Sequence, residues 1–452
     1  MTTSLTASRH AARSRSRART RADDRVETRR RRLQLATVLV LGAWWGTGGS
    51  LVNLVIAGRL PADRMSTGRI ADTVLGSQVQ NLGMIACIVG CLAIAGWNLL
   101  TRSELVRPAA PLLATFALFA SVSFANLVAS GQEVRSGSRI ALLLALTIWV
   151  LQPRVGDLRL IGVAGLVIVA VSLALLPSGK TWMPAADIVL QEKALIGTQL
   201  MAGPFGQSNV LGLALAVCAP FVFLFRRVVV RLASFGVIGW FLILSGSRSA
   251  LIGLAMAVTV ALVILVVRNR LFSGVVAAVA VVVFVCASLW LPLTTNDPQA
   301  FTQRGSIWMI SRATWASDSA LLFGNGLSYY GIGGRFAVFE HGSPTYHGHN
   351  ELLSVMTTSG VVATTALLAI FATALVGALR MSGRGRRTMF LVVLVLLGSG
   401  IAETPLRIDT VDSLGWLTWF ALFAVTVATT REARETGQSE GAPLTRSRSR
   451  AR

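Results

Sequence analysis

The sequence predicts an all-α fold: a polytopic bundle of about twelve transmembrane helical spans with one large extracytoplasmic loop. Three observations carry that reading. Of 452 residues, 53% are hydrophobic and only 14% charged, whereas a soluble domain carries about 25% charged residues. The apolar residues fall in runs close to the roughly 20 residues a helix needs to cross a bilayer. Those runs are uninterrupted rather than alternating, as in helices and unlike the strands of a membrane barrel.

The elements follow in order. A basic segment, 1–32, contains Ser14-Arg15-Ser16-Arg17 and reads as a disordered tail. Apolar spans then lie near 33–57, 81–100, 109–129, 138–152, 160–177, 208–225, 230–244, 249–267, 271–292, 352–379, 388–402 and 414–430. No small-residue cleavage site follows a short apolar region, so the first span reads as a retained anchor rather than a signal peptide. Most connections are short and make neighbouring spans antiparallel. The exceptions are 178–207, with Lys180, Trp182 and Lys193, and the larger 293–351. Long loops in compact proteins are usually functional. A second basic tail, 431–452, closes the chain, leaving 33–430 as the membrane domain.

The net charge of +22 acquires a meaning once placed on this topology. With the N-terminus inside, the segments 1–32, 101–108, 153–159, 226–231, 268–270, 380–387 and 431–452 face the cytoplasm. They hold 30 of the 42 Lys and Arg and 8 of the 20 acidic residues, leaving 12 of each outside. The whole net charge is then cytoplasmic, as the positive-inside rule requires, with both termini inside a multi-pass plasma-membrane protein. The arginines orient the chain and meet anionic membrane lipids, which argues against a nucleic-acid partner. Cys87, Cys91, Cys218 and Cys286 all fall within spans and read as small apolar packing residues.

The large loop shows structure of its own. Arg304, Trp308, Ser311 and Trp315 share one helical stripe between Gln303 and Asp318, and the two indoles suit a membrane interface. Gly324-Asn325-Gly326 reads as a turn and Gly331-Ile332-Gly333-Gly334 as a flexible one. The loop ends in Tyr346-His347-Gly348-His349-Asn350-Glu351, where two of the chain's four histidines stand directly before an apolar span, with His341 upstream and Pro344 stiffening the approach. Imidazole moves protons near neutral pH. A helix N-terminus there also favours an anion. The pair reads either as solvated loop histidines, as a weak metal site, or as a general base with its orienting partner. No cysteine or clustered aspartate joins them, which disfavours structural zinc.

Three arginines on outside segments also ask for a reason. Arg248 lies in the tight loop Ser245-Gly246-Ser247-Arg248-Ser249, Arg304 opens the loop helix, and Arg407 follows the eleventh span between Glu403 and Asp409. They either snorkel to head groups or bind a phosphate-bearing lipid, whose oxygens guanidinium meets bidentately. Charged residues are scarce within the spans, which argues against an ion-coupled carrier.

These pieces, in this order, resemble the O-antigen ligase and polymerase superfamily of bacterial membrane glycosyltransferases. The residues that carry the resemblance are Gly203-Pro204-Phe205-Gly206-Gln207-Ser208-Asn209, Ser247-Arg248-Ser249-Ala250-Leu251, Arg304 with Trp308, Phe323-Gly324-Asn325-Gly326, and His347-Gly348-His349-Asn350-Glu351-Leu352-Leu353 with Gly360. They span roughly 200–402; the N-terminal half carries no signature beyond its spans. The resemblance implies a GT-C-like enzyme without cofactor or metal that inverts the anomeric centre. Its substrates would be a polyprenyl-diphosphate-linked oligosaccharide and a glycan or lipid-anchored acceptor. His349, with His347, would be catalytic. Arg248 and Arg304 would hold the diphosphate; Arg407 and Asn350 are further substrate-binding candidates, chosen apart from the resemblance. The rival expectations are a lipid-linked oligosaccharide flippase or exporter and a non-catalytic cell-wall assembly partner.

Overall fold

Lipid offers backbone N–H and C=O groups no partner, so the Ala-, Leu- and Val-rich runs satisfy their own by closing into helices. The structure, a computed structural model, describes residues 24–60, 70–101, 109–130, 136–184, 193–266, 269–316, 320–330, 336, 347–381, 383–407 and 414–441. The helices are α1 (Asp24–Ile56), α2 (Val74–Thr101), α3 (Ala109–Ser130), α4 (Ser136–Leu151), α5 (Arg159–Ala174), α6 (Ser208–Cys218, continued by a 3₁₀ turn Ala219–Leu224), α7 (Val228–Leu244), α8 (Arg248–Val266), α9 (Arg270–Thr294), α10 (Ala300–Trp315), α11 (Ala320–Phe323), α12 (Glu351–Arg380), α13 (Gly383–Gly400) and α14 (Gly415–Gly441). Each apolar range expected from the sequence coincides with a helix, and α10 and α11 lie in the large loop. Among the described residues, seven helices are long and apolar enough to cross a membrane, and α4, α6 with its turn, and α7 are shorter apolar helices.

Helix α1 begins at Asp24 and α14 runs to Gly441, so both reach into ranges expected as tails. The remainder of those ranges lies outside the described residues. Tertiary contacts explain the extra turns. Arg31 and Arg32 donate to Asp157 at 2.8 and 2.6 Å, with Arg31 and Asp157 buried, and Arg431 donates to the Gln152 carbonyl at 2.5 Å.

Helix α12 is central and packs against α3, α13 and α14. Gly253 of α8 meets Gly398 and Ser399 of α13 at backbone range, the close approach that small residues permit. Near the other end of α12, Gly377 packs on Thr429 of α14. The starts of α8 and α12 and the end of α13 therefore gather at one end of the bundle. The Asp157 cluster and the charged turns of α1 and α14 occupy the opposite end.

Helix α12 is broken rather than continuous. Gly360 has φ +75° and ψ −176°, a conformation essentially confined to glycine. The break frees the carbonyls of Thr357 and Thr358, and the Gly324-Asn325-Gly326 segment takes them. Asn325 donates its backbone N–H and its Nδ2 to Thr357 O at 2.8 and 3.1 Å, and Gly326 N–H donates to Thr358 O at 2.9 Å. The segment expected as a simple turn is thus the plug of a helix break, and it leaves residues 351–359 as a short buried helix. The expected flexible glycines at 331–334, with His341, Pro344 and Tyr346, lie outside the described residues.

Candidate active site

Asn350 organises the entrance to α12. Its Oδ1 accepts the Leu353 N–H at 2.8 Å as an N-cap, while Nδ2 donates to the carbonyls of Ser288 at 2.8 Å and Ile401 at 2.9 Å. The residue is fully buried. Its amide pins α9, α12 and the end of α13 together.

The residue before it, His349, has φ +48°, and Arg407 across the site has φ +44°. Left-handed backbone is uncommon outside glycine, and such strain concentrates at functional sites. His349 donates its backbone N–H to His347 Nδ1 at 3.3 Å, and the two imidazole centroids lie 4.1 Å apart. The Trp308 indole donates to Gly348 O at 3.0 Å and is wholly buried. Trp308 therefore does not float α10 at an interface. The expected stripe exists, but its Trp308 and Ser311 face the protein, Ser311 bonding the Tyr330 hydroxyl at 2.7 Å. Trp315 remains partly exposed and donates to Leu321 O at 3.3 Å.

Glu403 sits at the centre with 1% exposure. Its Oε1 accepts from Arg304 Nη2 at 2.5 Å and from Asn209 Nδ2 at 2.9 Å, and its Oε2 lies 3.4 Å from His349 Nδ1. That last distance is long for a hydrogen bond but short for an electrostatic contact. Burial alone would raise the Glu403 carboxyl. The nearby His349 ring and the Arg304 guanidinium overcome this and hold it well below the usual carboxylate range. His347 is disfavoured as a cation: burial first, then the nearness of His349 and of the Arg407 guanidinium, keep it well below its ordinary value, so it stays a neutral acceptor.

The sequence-selected arginines converge on this end of the bundle. Arg304 lacks an acidic neighbour in the chain, yet the fold brings it Glu403 from 99 residues away. Arg407 is buried beside His347. Glu351 Oε2 accepts the Leu406 N–H at 2.9 Å and thereby fixes the segment that carries Arg407. Arg248 is exposed as the first residue of α8. Its loop turns at Gly246, φ +61°, and rests on Gly212, one turn along α6 from Asn209.

Three residues with site contacts escaped the sequence reading of function. Glu403 was visible only as an acid beside Arg407. Asn209 stood in a quoted motif without a role. Arg59 gave no local signal, yet it donates to the carbonyls of Lys180 at 3.0 Å and Gly203 at 2.8 Å, bracing the strap that leads to Asn209. Burial pushes its guanidinium down to about 10, which leaves it charged at neutral pH.

His347, His349 and Glu403 also offer donor atoms within 4.8 Å of one another, a set capable of holding a metal ion. The surroundings fit a dication poorly. One Glu403 oxygen already serves Arg304 and Asn209, His347 Nδ1 is engaged by a backbone N–H, and Arg304 and Arg407 place positive charge around the gap.

Fold and site together define a helical membrane protein with a strained, largely buried ionic centre at one end. Residues 232–368 match the family model described as O-antigen ligase. Over this region, about a third of its length, the chain is similar to the O-antigen ligase family. No curated protein matches the chain. The matched region lies within the 200–402 range of the sequence resemblance. It takes in Arg248, Arg304, His347, His349 and Asn350, and it excludes Asn209, Glu403 and Arg407.

Proposed function

We propose that the protein is a metal-independent, inverting glycosyltransferase that moves a glycan from a polyprenyl diphosphate to an acceptor hydroxyl, in ligation or polymerisation of a cell-envelope polysaccharide. In this reading it has twelve spans in a GT-C-like arrangement, both termini are cytoplasmic, and the site lies on the outer face of the plasma membrane. The single observation that carries the reading is the His349–Glu403–Arg304 chain of contacts, set among arginines at a helix entrance.

The chemistry follows from charge. Outside the cytoplasm the donor arrives already activated on a lipid, and its leaving group is a diphosphate. The acceptor oxygen attacks the anomeric carbon from the face opposite the diphosphate. The carbon–oxygen bond to phosphate breaks and its electron pair leaves with the polyprenyl diphosphate, so one displacement inverts the centre. His349, 26% exposed on its side chain, takes the acceptor proton at the ring nitrogen turned away from Glu403. The Glu403 carboxylate orients the ring and balances the imidazolium that forms. His347 and Asn350 hold the strained backbone in place. Arg248, with the uncommitted edge of Arg304 and the nearby Arg407, stabilises charge developing on the diphosphate, a role in which each contact is worth a few kcal/mol in a water-poor site. A metal adds nothing essential where guanidinium groups supply that charge.

The deciding experiment incubates purified protein in lipid vesicles with a polyprenyl-diphosphate-linked oligosaccharide and an acceptor, and follows acceptor mass. A gain of one glycan supports transfer. Movement of the donor across the vesicle with no gain in acceptor mass would instead favour the flippase reading, and neither result would leave an assembly partner.

A further inference from the structure

We propose that the end of the bundle opposite the candidate active site carries a binding cleft for one anionic phospholipid. The cleft has a volume of about 480 Å³, within the roughly 300–1,000 Å³ typical of small-molecule sites. It lies where the 3₁₀ turn of α6, the first turn of α7, the last turns of α8 and the start of α13 meet. Along α8, Leu262 is fourteen residues from Arg248, about 21 Å at 1.5 Å per residue, so this is a separate site.

Its lining is divided by chemistry. Val258, Ala261, Leu262 and Leu265 form an apolar wall. Leu262 and Leu265 are 57% and 53% exposed, so the wall opens sideways, where lipid tails lie in this membrane reading. Arg231 and Arg387 stand at the polar edge. Arg231 is held in position by donating to Phe225 O at 2.6 Å and Arg226 O at 2.7 Å, which leaves its Nη1 edge for another acceptor. No carboxylate pairs with Arg231 or Arg387 among the described residues. Both belong to segments 226–231 and 380–387, which carry seven arginines and no acid. A fixed guanidinium and an exposed one beside an apolar channel match a phosphate head group with an acyl chain behind it. The polyprenyl donor is not the occupant proposed, because its diphosphate belongs at the other end.

Native mass spectrometry of the purified full chain, titrated with equal phosphatidylglycerol and phosphatidylcholine, tests this. The wild type should retain phosphatidylglycerol preferentially. Arg387→Gln, a surface change that leaves helix packing alone, should lower that retention about fivefold, the worth of one basic residue facing anionic lipid, with phosphatidylcholine unaffected. Ala261→Phe should fill the channel and lower retention of both lipids. Equal retention of the two lipids by the wild type, or unchanged phosphatidylglycerol retention in Arg387→Gln, overturns the proposal. So does displacement of the lipid by an equal concentration of soluble glycerol phosphate, since the apolar channel would then contribute nothing. Glycan transfer is not read in any of these arms, so failure here leaves the proposed activity standing.

Discussion

Replacing Glu403 with glutamine removes the charge at the centre of the site while keeping its shape. Glutamine retains an oxygen for Asn209, now 2.9 Å from Oε1, and a weaker acceptor for Arg304. Charge-assisted hydrogen bonds are worth about 1.5–3 kcal/mol and are roughly twice as strong as neutral ones, so the Arg304 contact loses on the order of 1 kcal/mol. Folding should survive that loss. Catalysis should not, because the imidazolium forming on His349 loses the counter-charge that lies 3.4 Å away. Loss of the orienting carboxylate costs about 10⁴-fold in the serine-protease arrangement, where the contact is a direct hydrogen bond. The longer contact here sets the expectation lower, at about 10²-fold in the transfer rate. Initial rates at saturating donor, with wild type and Glu403→Gln in the same lipid, measure it. A variant that melts within a few degrees of wild type and works within threefold of its rate would refute the Glu403–His349 partnership.

Further expectations rest on other contacts. Arg248→Lys should lower transfer by about tenfold or more while keeping the charge, because an ammonium lacks the planar fork for two phosphate oxygens; rates for Lys and Ala variants compared with wild type test whether charge alone suffices. His347 binds its proton less readily in the folded chain than at its ordinary 6.5. Its contribution to stability is therefore complete above about pH 6.5 and is lost as pH falls toward the lower folded value, by about 1.4 kcal/mol per pH unit. Thermal unfolding in detergent at pH 7.5 and 5.5 should show a larger loss for wild type than for His347→Asn. Gly360→Ala should destabilise by about 1–3 kcal/mol from backbone conformation alone, and more because the new Cβ would lie 2.0 Å from Leu322 O; an unchanged melting temperature would mean that α12 runs through unbroken.

The division between what the chain made legible and what it hid follows the range of each interaction. Helices were readable because a lipid-facing run must satisfy its own backbone, which is a local demand. His347 and His349 stood out by their rarity and by their place before a span. Arg248 stood out in a loop too tight for a solvated tail. The partnership of Glu403 with Arg304 joins residues 99 positions apart and is created only by packing. Trp308 shows a different limit. An indole suits an interface and a buried hydrogen bond to a carbonyl equally well, so its helical spacing located the stripe without saying what the stripe faces. The break at Gly360 was hidden because hydropathy averages across it, although the glycine itself was in a quoted motif. Asn350 was placed correctly at the helix entrance, but the number of its partners within the protein could only come from the fold.

The most direct test of the account is the stoichiometry of the leaving group. In buffer containing a metal chelator, wild-type protein should release one polyprenyl diphosphate for every glycosidic bond it forms. His349→Ala, inserted and still binding the lipid-linked donor, should release none above background. Release that continues undiminished in His349→Ala, or that stops in the wild type when the chelator is added, would contradict an imidazole-and-guanidinium site.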